Sequence, residues 1–234
     1  MPQVFGIEHI IYLLITVPAT IILLVVFTRR AEDTRHIDHV IRISGGVLLV
    51  AIAVNRFSIA WLDADFGRIL PGTFCGASSL ALALGAIFLK RNHAFFHCVA
   101  YIGLLGGLIT IIYPDFIGQS SSIFYPKTIT GLLHHSVIVF LSILMLSSGF
   151  LKPELKKWHY YPIGLAFFMT YGLFLITMLG YNDAMLIHSP ILEGTILNWF
   201  VMGVLVVSLH VVILLIYHSF ISDKQSKTQQ TTST

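Results

Sequence analysis

The chain has 234 residues, 56% of them hydrophobic and 11% charged, with a formal net charge of +3. A soluble globular chain carries about 25% charged residues, so this composition excludes an ordinary water-soluble domain. The small net charge, held in short clusters beside apolar runs, also argues against a nucleic-acid partner.

A membrane-spanning helix needs about 20 mostly apolar residues. Such stretches run over 9–27, 39–61, 73–89, 94–113, 128–151, 160–180 and 194–220, joined by short polar connections. The expected fold is all-α: a polytopic seven-transmembrane-helix bundle over residues 1–220, with a disordered cytoplasmic tail at 221–234. That tail is polar and has no apolar period. The leading segment lacks a basic start and a clear cleavage site, so it reads as a retained helix. The second stretch is the weakest, because Arg42, Asn55 and Arg56 lie in or beside it and must face protein, water or headgroups. Gly45, Gly46, Gly103, Gly106 and Gly107 mark places where helices can approach closely in lipid.

Counting Lys and Arg on alternate sides sets the orientation. One side holds Arg29, Arg30, Arg35, Arg42, Lys90, Arg91, Lys152, Lys156, Lys157, Lys224 and Lys227; the other holds Arg56, Arg68 and Lys127. Eleven against three predicts an outside N-terminus and a cytoplasmic C-terminus, in a protein of the plasma membrane.

Polar side chains in hydrocarbon are costly, so their placement points to chemistry. Glu8, His9, Asn55, Arg56, Cys75, Ser78, Ser79, His134, His135 and Asn198 all fall in the predicted outer half. Cys75, Ser78 and Ser79 share one helix face, and Thr130 pairs with His134 at i, i+4. Each has a bland reading as well. Cys75 alone is a small apolar packing residue, and a membrane histidine can simply bond a neighbouring carbonyl. His134 and His135 point about 100° apart, so one of them at most faces a given partner squarely. His97 and His210 lie toward the inner side and read as packing residues.

The sharper reading is a Cys/His dyad, in which an imidazole takes the thiol proton and makes a nucleophile. Cys75 and His135 are expected at similar depth on different helices, near the level of a phospholipid ester. The two cysteines, Cys75 and Cys98, have no spacing suited to a disulfide framework or a zinc site. Neither a metal nor another cofactor is expected. Competing readings are a small-molecule transporter, a non-catalytic seven-helix membrane protein, and a bis-histidine haem site drawn from His97, His134, His135 and His210.

FGIEH (Phe5 to His9), LPGTFC (Leu70 to Cys75), YPDF (Tyr113 to Phe116), LLHHS (Leu132 to Ser136) and GYND (Gly180 to Asp183) follow one another along the spans. In this the chain resembles the YwaF-type integral membrane proteins, relatives of transmembrane protein 164, an acyltransferase that remodels ether phospholipids. The resemblance implies a phospholipid acyltransferase working through an acyl thioester, with Cys75 as nucleophile and His135 as general base. Its partners would be membrane phospholipids and lysophospholipids. His9, Asn55, Ser79, His134, Asn182 and Asn198 are the remaining candidates for substrate contacts or an oxyanion hole. Family members often carry a histidine two residues before the cysteine and an acidic residue after it. Here Thr73 and Gly76 stand in those places, a departure that bears on substrate choice.

Overall fold

Backbone polar groups have no water to bond in hydrocarbon, and apolar runs of this length satisfy them by forming helices. The computed structural model describes residues 5–29, 33–114, 122–190 and 194–231, with backbone alone at residue 68 and from residue 220 onward. Among them are seven α-helices and no strand: α1 (Ile7–Thr28), α2 (Thr34–Leu62), α3 (Phe74–Phe88), α4 (Ala94–Ile112), α5 (Pro126–Ser147), α6 (Tyr160–Leu179) and α7 (Trp199–Thr231). Six contain a stretch long and apolar enough to cross a membrane, and the protein is an integral membrane protein. The remaining helix, α3, has 15 residues. At 1.5 Å per residue it is about 22 Å long, against a hydrocarbon core of about 30 Å. In α7 the apolar stretch is Trp199–Ser219, and the helical backbone continues to Thr231. Arg30, Asp115 and Phe116 lie outside the described residues, as do the side chains of Arg68, Lys224 and Lys227.

Polar contacts define the two ends of the bundle. At one end Arg91, between α3 and α4, donates to Asp38 of α2 at 2.5 Å and to the Thr34 carbonyl at 3.1 Å. There Asn92 joins the α5–α6 connection: its side chain donates to Glu154 at 3.0 Å and accepts from the Lys152 amide at 3.3 Å. Hydrogen bonds from Lys157 and Asn92 hold the Glu154 carboxyl below its usual range. At the opposite end Lys127, at the start of α5, pairs with Asp63, just past α2, at 2.6 Å. Glu8 of α1 accepts from the Ile123 amide at 2.7 Å. Successive helices therefore run in alternating directions.

The core lies among α2, α3, α4 and α5, where Ile41, Leu48, Leu82, Phe96, Ile138 and Leu144 are fully buried. Small residues let these helices close up. A Cβ on Gly45 would fall 2.7 Å from Ala86 Cβ, and one on Gly103 would overlap Ile138. By contrast few residues of α1 and α7 are buried, as in helices that face lipid. Polar ties hold α1: His9 Nε2 donates to the Ile111 carbonyl at 2.9 Å, and the Tyr12 hydroxyl bonds Ser136 at 2.5 Å.

Candidate functional site

The site is built around an early stop. Pro71 and Gly72 interrupt the chain before α3, and Thr73 caps the helix, its hydroxyl accepting the Gly76 amide at 3.2 Å. A Cβ at Gly76 would lie 2.8 Å from Pro71 Cβ, so the tight approach of loop to helix requires glycine there. Cys75 is the second residue of α3. At that position the backbone amides of the first turn have no carbonyl partner within the helix. Neither the Phe74 nor the Cys75 amide is taken by a carbonyl or side-chain oxygen, whereas the Gly76 amide goes to Thr73.

Depth follows from α4. A Cβ on Gly106 would overlap Cys75 Sγ, and one on the adjacent Gly107 would lie 3.2 Å from the His135 carbonyl oxygen. Neighbouring residues of α4 thus meet Cys75 of α3 and His135 of α5 at one level. That level is six residues, about 9 Å, from the end of α4 at Ile112. The loop leading into α3 must therefore reach below the end of the bundle. Irregular backbone survives there only if its polar groups are satisfied. Arg56 Nε donates to the Ile69 carbonyl at 3.2 Å and Nη2 to that of Leu70 at 3.3 Å. The Tyr181 hydroxyl also donates to Leu70 O at 2.9 Å, and the Met185 amide to Gly72 O at 2.8 Å.

Cys75 and His135 line one cavity of about 690 Å³, bounded also by Ile102 to Thr110 of α4, Tyr161 to Met169 of α6 and Trp199 to Ser208 of α7. Leu186, from the α6–α7 connection, contributes as well. Met185 and Leu186 hold successive positive φ angles of 53° and 56°, a strained backbone for residues with side chains. The Thr110 hydroxyl, which lines the cavity with Cys75, donates to the Gly106 carbonyl at 2.8 Å. His135 is 3% exposed, and its Nδ1 is buried without a hydrogen-bond partner.

His135, not His134, is the histidine on the cavity wall. His134 packs its ring 4.0 Å from that of His135 and turns Nδ1 to the Thr130 carbonyl at 3.3 Å, leaving Nε2 buried and unpartnered. The other candidates lie elsewhere. His9 uses both ring nitrogens, accepting from Phe5 and donating to Ile111. Asn55 donates to Thr130 at 3.1 Å, joining α2 to α5. Ser79 is buried without a partner and off the cavity wall. Asn182 gives its carbonyl to His188, and Asn198 caps α7 through the Phe200 and Val201 amides. Thr110 is a cavity residue that the sequence did not signal, whereas Gly106 was read only as a close-approach glycine and Tyr181 only as part of the GYND motif. Among the described residues, no three His, Cys, Asp or Glu side chains form a group able to hold a metal.

The model of the TMEM164 family matches residues 4–222, nearly the whole chain. The chain belongs to the TMEM164 family. No curated protein and no solved structure matches it. Among the described residues, Cys75 and His135 line the same cavity.

Proposed function

We propose that this TMEM164-family protein is a YwaF-type phospholipid acyltransferase of the plasma membrane, acting through an acyl thioester on Cys75. The observation that carries the proposal is one apolar cavity with Cys75, at a helix N-terminus, and His135 on its wall. In the proposed cycle the Cys75 thiol passes its proton to His135. The thiolate then attacks the carbonyl carbon of a phospholipid ester. The Phe74 and Cys75 amides stabilise the tetrahedral oxyanion, as preorganised donors do. The C–O bond breaks, a lysophospholipid leaves with the proton returned by His135, and the acyl group stays on sulfur. A second lysophospholipid hydroxyl gives its proton to His135 and takes the acyl group; the C–S bond breaks, sulfur leaves as thiolate, and it recovers the proton from His135.

We also propose seven crossings, with the N-terminus outside and the C-terminus in the cytoplasm, so that the cavity's Cys75 end faces the outer leaflet. The charge count supports this orientation.

The test profiles lipids in membranes containing wild type, Cys75→Ser or His135→Ala, with a mass-spectrometric search for acylated Cys75. Turnover should fall to background in both variants, since each removes a reacting group. A labelled lysophospholipid converted to a diacyl product marks transfer, whereas release of free fatty acid marks hydrolysis. Identical profiles from all three folded proteins would refute the proposal and favour a transporter or non-catalytic role.

A further inference from the structure

The cavity is not uniform. Thr73, Cys75, Thr110 and His135 gather toward the end where α3 and α7 begin, and beyond them the wall is aliphatic, with Leu105, Leu165 and Val206. On α7 the lining runs from Trp199 to Ser208, nine residues or about 14 Å along the axis. It ends at Tyr161 and Pro162, which stand at the start of α6 and hence at the opposite end of the bundle. Tyr161 is 3% exposed and rigidly backed. The His210 ring of α7 lies 4.5 Å from the ring of Tyr161 and 4.4 Å from that of Tyr101 on α4, so three helices meet at a cluster of tilted rings. Midway, Gly203 of α7 faces open space, since a Cβ there would meet nothing within 4 Å.

We propose that the cavity is a slot for one fatty-acyl chain and that Tyr161, backed by His210 and Tyr101, is the floor that sets the chain length accepted. This rests on the acyltransferase reading for the identity of the ligand. A chain whose carbonyl carbon sits at Cys75 has an aliphatic wall ahead of it, and beyond that wall a packed aromatic group. Each buried methylene strengthens binding about fourfold until the terminal methyl reaches the floor, after which further methylenes bring no gain.

The experiment uses full-length Cys75→Ser protein in nanodiscs, so that binding is read without turnover. A fluorescent fatty acid is displaced by lysophosphatidylcholines with saturated chains of increasing length. Affinity should climb and then break at one length. Tyr161→Ala should move the break to longer chains, and Gly203→Leu, which plugs the slot without a backbone clash, should move it to shorter ones. A climb with no break, or a break at the same length in every variant, would overturn the proposal. If Tyr161→Ala does not fold, Gly203→Leu decides alone. Acylation of Cys75 in the unsubstituted protein is scored separately. A break that shifts in a protein never acylated keeps the slot and removes the acyltransferase, while acylation with an immovable break does the reverse.

Discussion

Cys75 fits where it does because residue 106 has no side chain. A methyl group there would overlap the sulfur, and Cys75 Cα is 3.9 Å from the same point, so the thiol must swing away. Overpacking of this kind costs about 1–3 kcal/mol. Gly106→Ala should therefore lower the thermal midpoint of the purified protein, and Cys75→Ala should recover most of the loss when added to it. The two changes should be strongly non-additive, as expected for groups in contact. Additive effects in that double-mutant cycle would show that the pair does not touch. The sequence indicated a thiol and a histidine pair but not this dependence, because Gly106 is an ordinary small residue until α3 is laid against α4. Nor could it choose between His134 and His135. Their directions differ by about 100° on the helix, and only the packing of α5 on α4 decides which of them meets the cavity. Thr73 and Gly76, which depart from the family pattern, both have structural work in the turn before Cys75.

At the scale of elements, the apolar runs located the helices to within about five residues, because hydrocarbon permits few alternatives for such runs, except that α7 continues eleven residues past the expected end. The expected stretch 73–89 became the shortest helix, α3, and α7 began at Trp199 instead of 194. In both cases a cap, Thr73 or Asn198, sets the start, and hydropathy does not register caps. The loop before α3 also escaped a linear reading, since its carbonyl partners Arg56, Tyr181 and Met185 lie on two distant segments. A buried carbonyl left without a donor costs about 1–3 kcal/mol. Arg56→Met removes donors to both Ile69 and Leu70, whereas Tyr181→Phe leaves Arg56 on Leu70, so the arginine variant should be the less stable of the two. Both should speed alkylation of Cys75 by an apolar maleimide, because the loop that seats the cysteine loosens. Unchanged alkylation would mean that these bonds do not hold the loop against α3.

For the whole molecule, the two ends of the bundle differ in how their charges are used. The end with Arg91, Lys152 and Lys157 gathers many cations, two of them paired with Asp38 and Glu154, and Lys152 is left exposed. At the other end Lys127 is tied to Asp63, and Arg56 is turned onto loop carbonyls. The proposed orientation rests on the count of eleven against three in the sequence, because the rule counts Lys and Arg rather than net charge. The proposed orientation then makes a prediction for single-cysteine proteins in a Cys75→Ser, Cys98→Ala background. Ser189→Cys, in the exposed α6–α7 connection, should react with a membrane-impermeant maleimide on intact cells. Lys152→Cys, exposed at the opposite end, should react only after permeabilisation. The reverse pattern would place the Cys75 end of the cavity in the inner leaflet. Cys75 chemistry would survive that result, but its lipid substrates would then come from the cytoplasmic leaflet. Labelling of both sites on intact cells would instead contradict the alternating path of the helices through the bilayer.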